Sequence, residues 1–340
     1  MTPLISLIIP VYNTEPFLRQ CLESVAQQTL GNIEVIIINN NTPDNSPVII
    51  DEYVKKYPHF KTTLLVGGKV GGARNAGLKM ATGQYVAFLD SDDWIAPNAL
   101  EKLYTAAKQN DADIVVCSAN NTDLYGQVTG ADDTSRQKPF TLTNAPAVQL
   151  LRIGGEMACP WRKIIRRSIF TEHNLWFTEN LSAEDVACIC ACFAFSKNYV
   201  QLADRLWYYR NRPGSLSNTN AQQAPIYLFD NFAAVRPLLK KYGIYDEVAE
   251  EFEFRLISMI IGNEGYGNGG FKKLTAQNRR KLFEKCRTFY LSFPKDFFKN
   301  RNQIFRTKWF IFHLSLKLNR PALPVILRGP LHILYLFCKK

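Results

Sequence analysis

The sequence predicts an α/β protein with a mostly parallel, Rossmann-like sheet flanked by helices. Two observations carry that reading. Short, nearly continuous apolar runs rich in Val and Ile alternate with helical stretches of about 10 to 15 residues. Continuous rather than alternating apolar strands fit a sheet covered on both faces. A third observation points to a site: a polar cluster follows each of three strands, where ligands bind in open α/β sheets.

The elements read in order as follows. Ser6–Val11 (SLIIPV) is a buried strand. Asn13 or Thr14 can cap the next helix, Pro16 fits its first turn, and Leu18, Cys21, Leu22 and Val25 follow at helical spacing. Ile33–Ile38 is a second strand, Asn39–Ser46 a loop, and a helix runs on to about Tyr57. Thr62–Val66 is a third strand, Gly67–Gly72 a loop, and Ala73–Ala81 a helix closed by Thr82-Gly83. Tyr85–Leu89 is a fourth strand that runs into Asp90-Ser91-Asp92-Asp93. Pro97–Gln109 is a helix and Asp113–Cys117 a fifth strand. Residues 119–140 read as a long surface loop, 144–220 hold mixed helix and strand signals, and 222–290 read as helices.

Composition narrows the class. The chain has 46% hydrophobic and 21% charged residues, which excludes disorder and a disulfide-stapled miniature scaffold. The net charge of +11 is uneven. Nine basic residues and no acid fall between Phe297 and Lys340, leaving 32 basic against 30 acidic residues elsewhere. The basicity therefore belongs to a tail and does not argue for nucleic acid. No apolar stretch reaches the length of a membrane span, and the N-terminus lacks the pattern of a signal peptide. The eight cysteines suit a reducing compartment. Cys188-x-Cys190-x-Cys192 does not match common zinc spacings and reads as helix packing.

Three carboxylates within four residues, Asp90, Asp92 and Asp93, repel one another. Hydration or a nearby Lys/Arg could offset that cost, and a divalent cation with hard oxygen ligands does so best. The bland alternative is a solvated turn capping the helix near Pro97. The blocks SLIIPVYNTEPFLRQCLESVAQQT and GGARNAGLKMATGQYVAFLDSDDWIAPNALEKL resemble the N-terminal domain of family 2 glycosyltransferases, with the GT-A fold. The likeness is strong over roughly the first 120 residues and looser to about residue 218.

That resemblance implies a nucleotide-sugar donor, usually UDP-linked, sugar transfer with inversion, and Mn²⁺ or Mg²⁺. Pro10, Val11, Tyr12 and Glu15 would line the base and ribose pocket, and Arg74 would contact base or phosphate. Asp92 would hold the metal on the diphosphate, with Asp90 nearer the ribose and Ser91 and Asp93 in the same loop. The family commonly has Asp-Asp-Gly-Ser after the second strand, whereas this chain has Asn39-Asn40-Asn41-Thr42. Asn still accepts a hydrogen bond from a base N–H, without charge assistance.

Ser182-Ala183-Glu184-Asp185 has the pattern of a capping box. The family places its catalytic base at such a Glu-Asp pair, which implies Asp185 as base and Glu184 as its support. Arg210 and Arg212 lie in WYYRNRPGSLS and could clamp a diphosphate or form a stacked surface loop. Trp161 could stack on an acceptor sugar or belong to the core.

The tail mixes Phe, Ile, Trp and Leu with Lys and Arg, which fits a helix lying in the membrane interface, or one packed on protein. The expected organisation is a catalytic domain over 1–220 (donor side 1–118, acceptor side 119–220), a helical region over 221–290 and a basic amphipathic tail over 291–340. The expected activity builds a surface polysaccharide or lipooligosaccharide on a saccharide acceptor, lipid-linked in the favoured reading. Its place would be the cytoplasmic face of the membrane, with homo-oligomerisation left open. Two other classes compete: a sugar-phosphate nucleotidyltransferase, whose Gly-rich basic first loop is missing from VYNTEP, and a non-catalytic nucleotide-sugar-binding scaffold.

Overall fold

Strand β1 (Ile5–Val11) is buried at every position and forms the spine of the sheet. It pairs in parallel with β2 (Ile33–Asn39) on one side and β4 (Tyr85–Phe88) on the other, and β2 pairs in parallel with β3 (Phe60–Leu64). The connecting helices are α1 (Glu15–Ala26), α2 (Ser46–Lys56) and α3 (Val70–Met80). Beyond β4 come the short β5 (Trp94–Ile95), α4 (Ala99–Gln109), β6 (Ile114–Thr122), β7 (Val128–Ala131) and β8 (Phe140–Leu142). Then follow α5 (Ala147–Glu156), β9 (Lys163–Arg166), α6 (Arg167–Glu172), α7 (Glu184–Phe195) and β10 (Tyr199–Arg210). Helices α8 (Ala224–Lys241), α9 (Tyr245–Ile261) and α10 (Ala276–Leu291) complete the order. This computed structural model describes residues 2–131, 139–156, 158–179, 183–215, 224–261 and 276–292.

The main path of the sheet runs β3-β2-β1-β4-β9-β6-β10-β5. Parallel pairing holds from β3 to β4 and again between β6 and β10. Strand β9 enters between β4 and β6 and runs antiparallel to both. Among the described residues, those up to 215 together with 231–248 form one compact unit, and 224–230 with 249–261 and 276–292 a second.

One face of the sheet buries Ile5, Leu7, Ile9, Val35, Ile37, Ala87 and Ile164 against Leu18 and Leu22 of α1 and Leu100 and Leu103 of α4. The opposite face carries Ile8 and Phe88. There α3 lies so close that a Cβ on Gly77 would come 2.4 Å from Ile8 Cγ2.

The structure corrects several sequence expectations. The third strand lies two residues earlier, at Phe60–Leu64, with Leu64 exposed at the last pair of the ladder and Val66 exposed beyond it. Helix α3 begins at Val70, so Gly71 and Gly72 are helical, not part of a loop. Gly71 is needed there, since a Cβ would stand 2.6 Å from the Thr178 carbonyl and 2.9 Å from Glu184 Cγ. Residues 119–140 are not a plain loop: β6 continues to Thr122 and turns back as β7, and β8 begins at Phe140. Thr14 does not cap α1 with its side chain, which meets Ser91 Oγ at 2.8 Å. The cap position of α7 is Ala183, while Ser182 lies outside the described residues. The basic tail also lies outside them. Cys188, Cys190 and Cys192 are buried within α7 and form no disulfide, in keeping with helix packing.

Candidate active site

The parallel strands deliver their polar ends to one edge of the sheet. Pro10 and Val11 are themselves buried, and Tyr12 beyond them is 57% exposed. The turn after β2 is tied to it: the Asn40 N–H donates to the Val11 carbonyl at 3.0 Å and the Asn13 N–H to Thr42 Oγ1 at 2.8 Å. Asn39 Oδ1 accepts from the Thr42 N–H at 3.1 Å, and Asn40 Nδ2 donates to the Gly68 carbonyl at 3.0 Å. Asn41 adopts φ +51°, which Asn tolerates better than most side chains.

Glu15 has a job the sequence did not suggest. Its carboxylate accepts from the Asn45 N–H and side-chain amide at the start of α2, at 3.0–3.2 Å. Asp44 accepts from the Glu15 N–H at 2.8 Å in return. Two helix N-termini thus satisfy each other's orphan donors across the cleft. Asp44 was missed, although Asp-Asn-Ser before an apolar helix is the signal that marks it.

The acidic loop follows β4. Ser91 is buried on Thr14. Asp93 is buried, with Oδ1 taking the Arg210 N–H at 2.8 Å and Oδ2 without a partner. Burial, then the charges of Asp92 and Asp90, drive its carboxyl well above the usual range. Asp90 is also raised, by burial first, against the pull of Arg74. Asp92 keeps part of its carboxylate in solvent, and Arg212 Nε donates to its Oδ2 at 2.5 Å. A hard divalent cation fits this loop, because it would relieve the mutual repulsion that the buried oxygens record. Among the described residues no three ligating side chains converge. A cation here would therefore draw its remaining oxygens from a bound ligand, as Mg²⁺ commonly does with phosphates.

Arg74 joins this loop to the start of α7. Its guanidinium is buried, with Nη2 on Asp90 Oδ1 at 3.1 Å and Nη1 on Glu184 Oε1. Burial opposes its charge, but Asp90, Glu184 and Asp185 outweigh that cost and raise its pKa. Asn75, next to it, pins the segment that leads to α7: it accepts from the Phe177 N–H at 2.9 Å and donates to the Phe177 carbonyl at 2.9 Å. Burial, then the charge of Asp185, lifts Glu184 to about 7. Asp185 moves up for the same first reason, against the pull of Arg74 and its own helix N–H groups. Just before the pair, Ala183 sits at φ +58°, and Asn231 holds its carbonyl at 2.7 Å. A strained residue at such a point is a common mark of a functional site.

Arg210 and Arg212, expected to act alike, make different contacts. Arg210 is buried and spends its donors on the Asp92 carbonyl (2.9 Å), the Leu124 carbonyl (2.6 Å) and Gln20 Oε1 (2.6 Å), with Phe17 and Trp94 against its plane. It holds the acidic loop, whereas Arg212 reaches the Asp92 carboxylate itself. Trp161 is half-buried and stacks on Tyr209 at 5.5 Å, so one ring face is already covered.

A twisted, mostly parallel sheet with an acidic loop at its carboxyl edge, linked through a buried arginine to a second carboxylate pair, is the GT-A architecture of nucleotide-sugar transferases. The chain belongs to glycosyl transferase family 2, whose model matches residues 6–173, and it is a glycosyltransferase. It is 34% identical over 274 residues to the uncharacterized glycosyltransferase EpsJ of Bacillus subtilis, covering 77% of this chain and 78% of that one. It is 30% identical over 228 residues to the glycosyltransferase GlyG of Streptococcus pneumoniae, covering 64% and 74%. In fold it is similar to residues 1–349 of S. aureus TarS in complex with UDP-GlcNAc, with a TM-score of 0.75 at 19% identity over 96% of this chain and 92% of that one. Membership in this family removes the nucleotidyltransferase alternative.

Proposed function

We propose that this chain transfers a sugar with inversion from a UDP-sugar to a saccharide acceptor, lipid-linked, in the synthesis of a surface polysaccharide. The observation that carries the reading is the Asp90–Arg74–Glu184 bridge, which brings the acidic loop and the Glu184-Asp185 pair into one site. The donor class is supported by the exposed Tyr12 ring beside the Asn39–Thr42 turn, and by the UDP-GlcNAc bound to the TarS fold relative. The acceptor class is supported by relatives such as the poly(ribitol-phosphate) beta-glucosyltransferase of Bacillus spizizenii, 30% identical over 60% of this chain.

Asp92, with Asp90 beside it, would hold Mn²⁺ or Mg²⁺. When bound, such an ion stabilises charge on the departing diphosphate. Arg212, already at Asp92, is placed to follow the diphosphate with a second cation. Asp185 takes the proton from the acceptor hydroxyl. That oxygen forms its bond to the sugar C1 as the C1–O bond to the diphosphate breaks, which inverts the centre.

Thermal unfolding with UDP, GDP, CDP and dTDP, each with and without Mn²⁺, tests the donor reading. A nucleotide at 100 times its Kd stabilises by about 2.7 kcal/mol. The expected result is a shift with UDP that requires Mn²⁺ and disappears in Asp92→Asn. A metal-independent shift, or none with any nucleotide, sinks it.

A further inference from the structure

Asn75 is buried in the interior of helix α3, a costly place for its side chain. Asn favours helix ends and turns over helix interiors, and a buried amide needs hydrogen-bond partners. Here the partners come from one short stretch of chain. Oδ1 accepts from the Phe177 N–H at 2.9 Å. Nδ2 donates to the Phe177 carbonyl at 2.9 Å and to Glu179 Oε1 at 3.1 Å. The amide thus pairs with both backbone groups of Phe177, as a residue on a neighbouring strand would.

The same stretch follows α3 closely. The Thr178 carbonyl stands where a Cβ on Gly71 would come 2.6 Å from it, and a Cβ on Gly72 would lie 4.0 Å from Glu179 Cδ. The Arg74 guanidinium lies 5.6 Å from the centre of the Phe177 ring. That ring also meets Phe88 edge-on at 5.2 Å, two residues before Asp90. Further on, Glu184 returns to the same helix, with Cγ against Gly71 and its carboxylate on Arg74. Helix α3 is itself seated on β1 by the close approach of Gly77 to Ile8. It therefore carries the acidic loop's partner and the incoming segment together. Arg74 is a long side chain with many rotamers and grips only the Glu184 carboxylate. Asn75 has two side-chain torsions and grips the backbone.

We propose that Asn75 is a positioning residue for the reaction: by clasping Phe177 and Glu179 it seats the segment that leads to α7 on α3, and so sets where the Glu184-Asp185 pair stands relative to the acidic loop. This rests on the reading of Asp185 as base. A base must lie within hydrogen-bond reach of the proton it takes, and a small displacement of a reacting group costs rate rather than donor affinity.

Two readouts test this. The first is the kinetics of UDP release from the UDP-hexose that the unmodified protein turns over fastest, in Asn75→Ala and Asn75→Asp. The second of these variants keeps an acceptor for the Phe177 N–H and loses both donor bonds. In each, kcat should fall about ten- to a hundredfold, as an ångström of misplacement does, while UDP binding in the presence of Mn²⁺ stays within about twofold. Tyr85→Phe is the control. It removes a buried hydrogen bond to the Ala112 carbonyl at the end of β4 away from the acidic loop, so it should lower the urea midpoint and keep kcat. A wild-type kcat in the Asn75 variants, or a loss that only follows UDP binding, overturns the proposal and leaves Asn75 a structural residue. The second readout needs no turnover: the change in urea midpoint caused by Glu184→Gln, measured in the wild-type and Asn75→Ala backgrounds. A smaller change without Asn75 supports the clasp, and an equal or larger one overturns it. Asp185→Asn at the wild-type rate overturns the base reading, whereas a slow Asp185→Asn beside a fast Asn75→Ala overturns the clasp alone.

Discussion

Arg74 makes ion pairs with two carboxylates, one 16 residues along the chain and the other 110. The first was legible in the sequence, because GGARNAG and the acidic loop stand in adjacent βα units. The second was not: a helix start 110 residues on becomes a partner only once β9 has threaded between β4 and β6. For the same reason the sequence does not reveal the buried environment of Glu184. That environment has a measurable consequence. Burial and Asp185 lift the Glu184 carboxyl from 4.5 to about 7, so between those values the folded chain holds a proton that the unfolded chain has lost. Stability contributed by this group falls as pH rises through that window and is level above it. The Tm difference, wild type minus Glu184→Gln, should therefore decline from about pH 4.5 to about pH 7 and then flatten. A difference that is constant with pH contradicts the shift.

At the scale of elements, the apolar runs at β1, β2 and β4 were readable because a strand buried on both faces leaves a continuous Val/Ile signal. Edge strand β3 has only Phe60 buried, so its signal slid two residues toward the more apolar Leu64–Val66. The start of helix α3 is hidden in the sequence because two glycines look like a loop. They are helical because the segment before α7 presses on Gly71, as β1 does on Gly77. Close approach, which no local pattern records, thus sets where Arg74 lies. Gly77→Ala should cost about 1–3 kcal/mol, measured by urea unfolding, since the new methyl must displace Ile8. In the Ile8→Ala background the same change should cost clearly less, with a coupling of about 0.5–3 kcal/mol. Strict additivity would mean that α3 shifts freely over β1 and that its register is not fixed by this contact.

For the molecule as a whole, the sequence divides its charge more sharply than its fold. The first 296 residues are almost balanced, and nine uncompensated basic residues with many aromatics follow. Among the described residues no helix is long and apolar enough to cross a membrane. On the proposed reading of a lipid-linked acceptor, the enzyme meets that acceptor at the lipid surface, and the composition of the tail suits that contact. Each basic residue near an anionic surface contributes about 1 kcal/mol, so engagement of even a few would hold the enzyme there, while the aromatic side chains add burial at the acyl boundary. The two contributions separate by salt. The full chain should co-sediment with vesicles containing anionic lipid and much less with neutral ones. Raising ionic strength to about 0.5 M shortens the Debye length to roughly 4 Å and should release most of it. Equal, salt-insensitive binding to both vesicle types would make the contact apolar rather than electrostatic. Binding to neither would return the tail to packing on protein, and the acceptor would then have to reach the Asp185 edge of the sheet without help from the membrane.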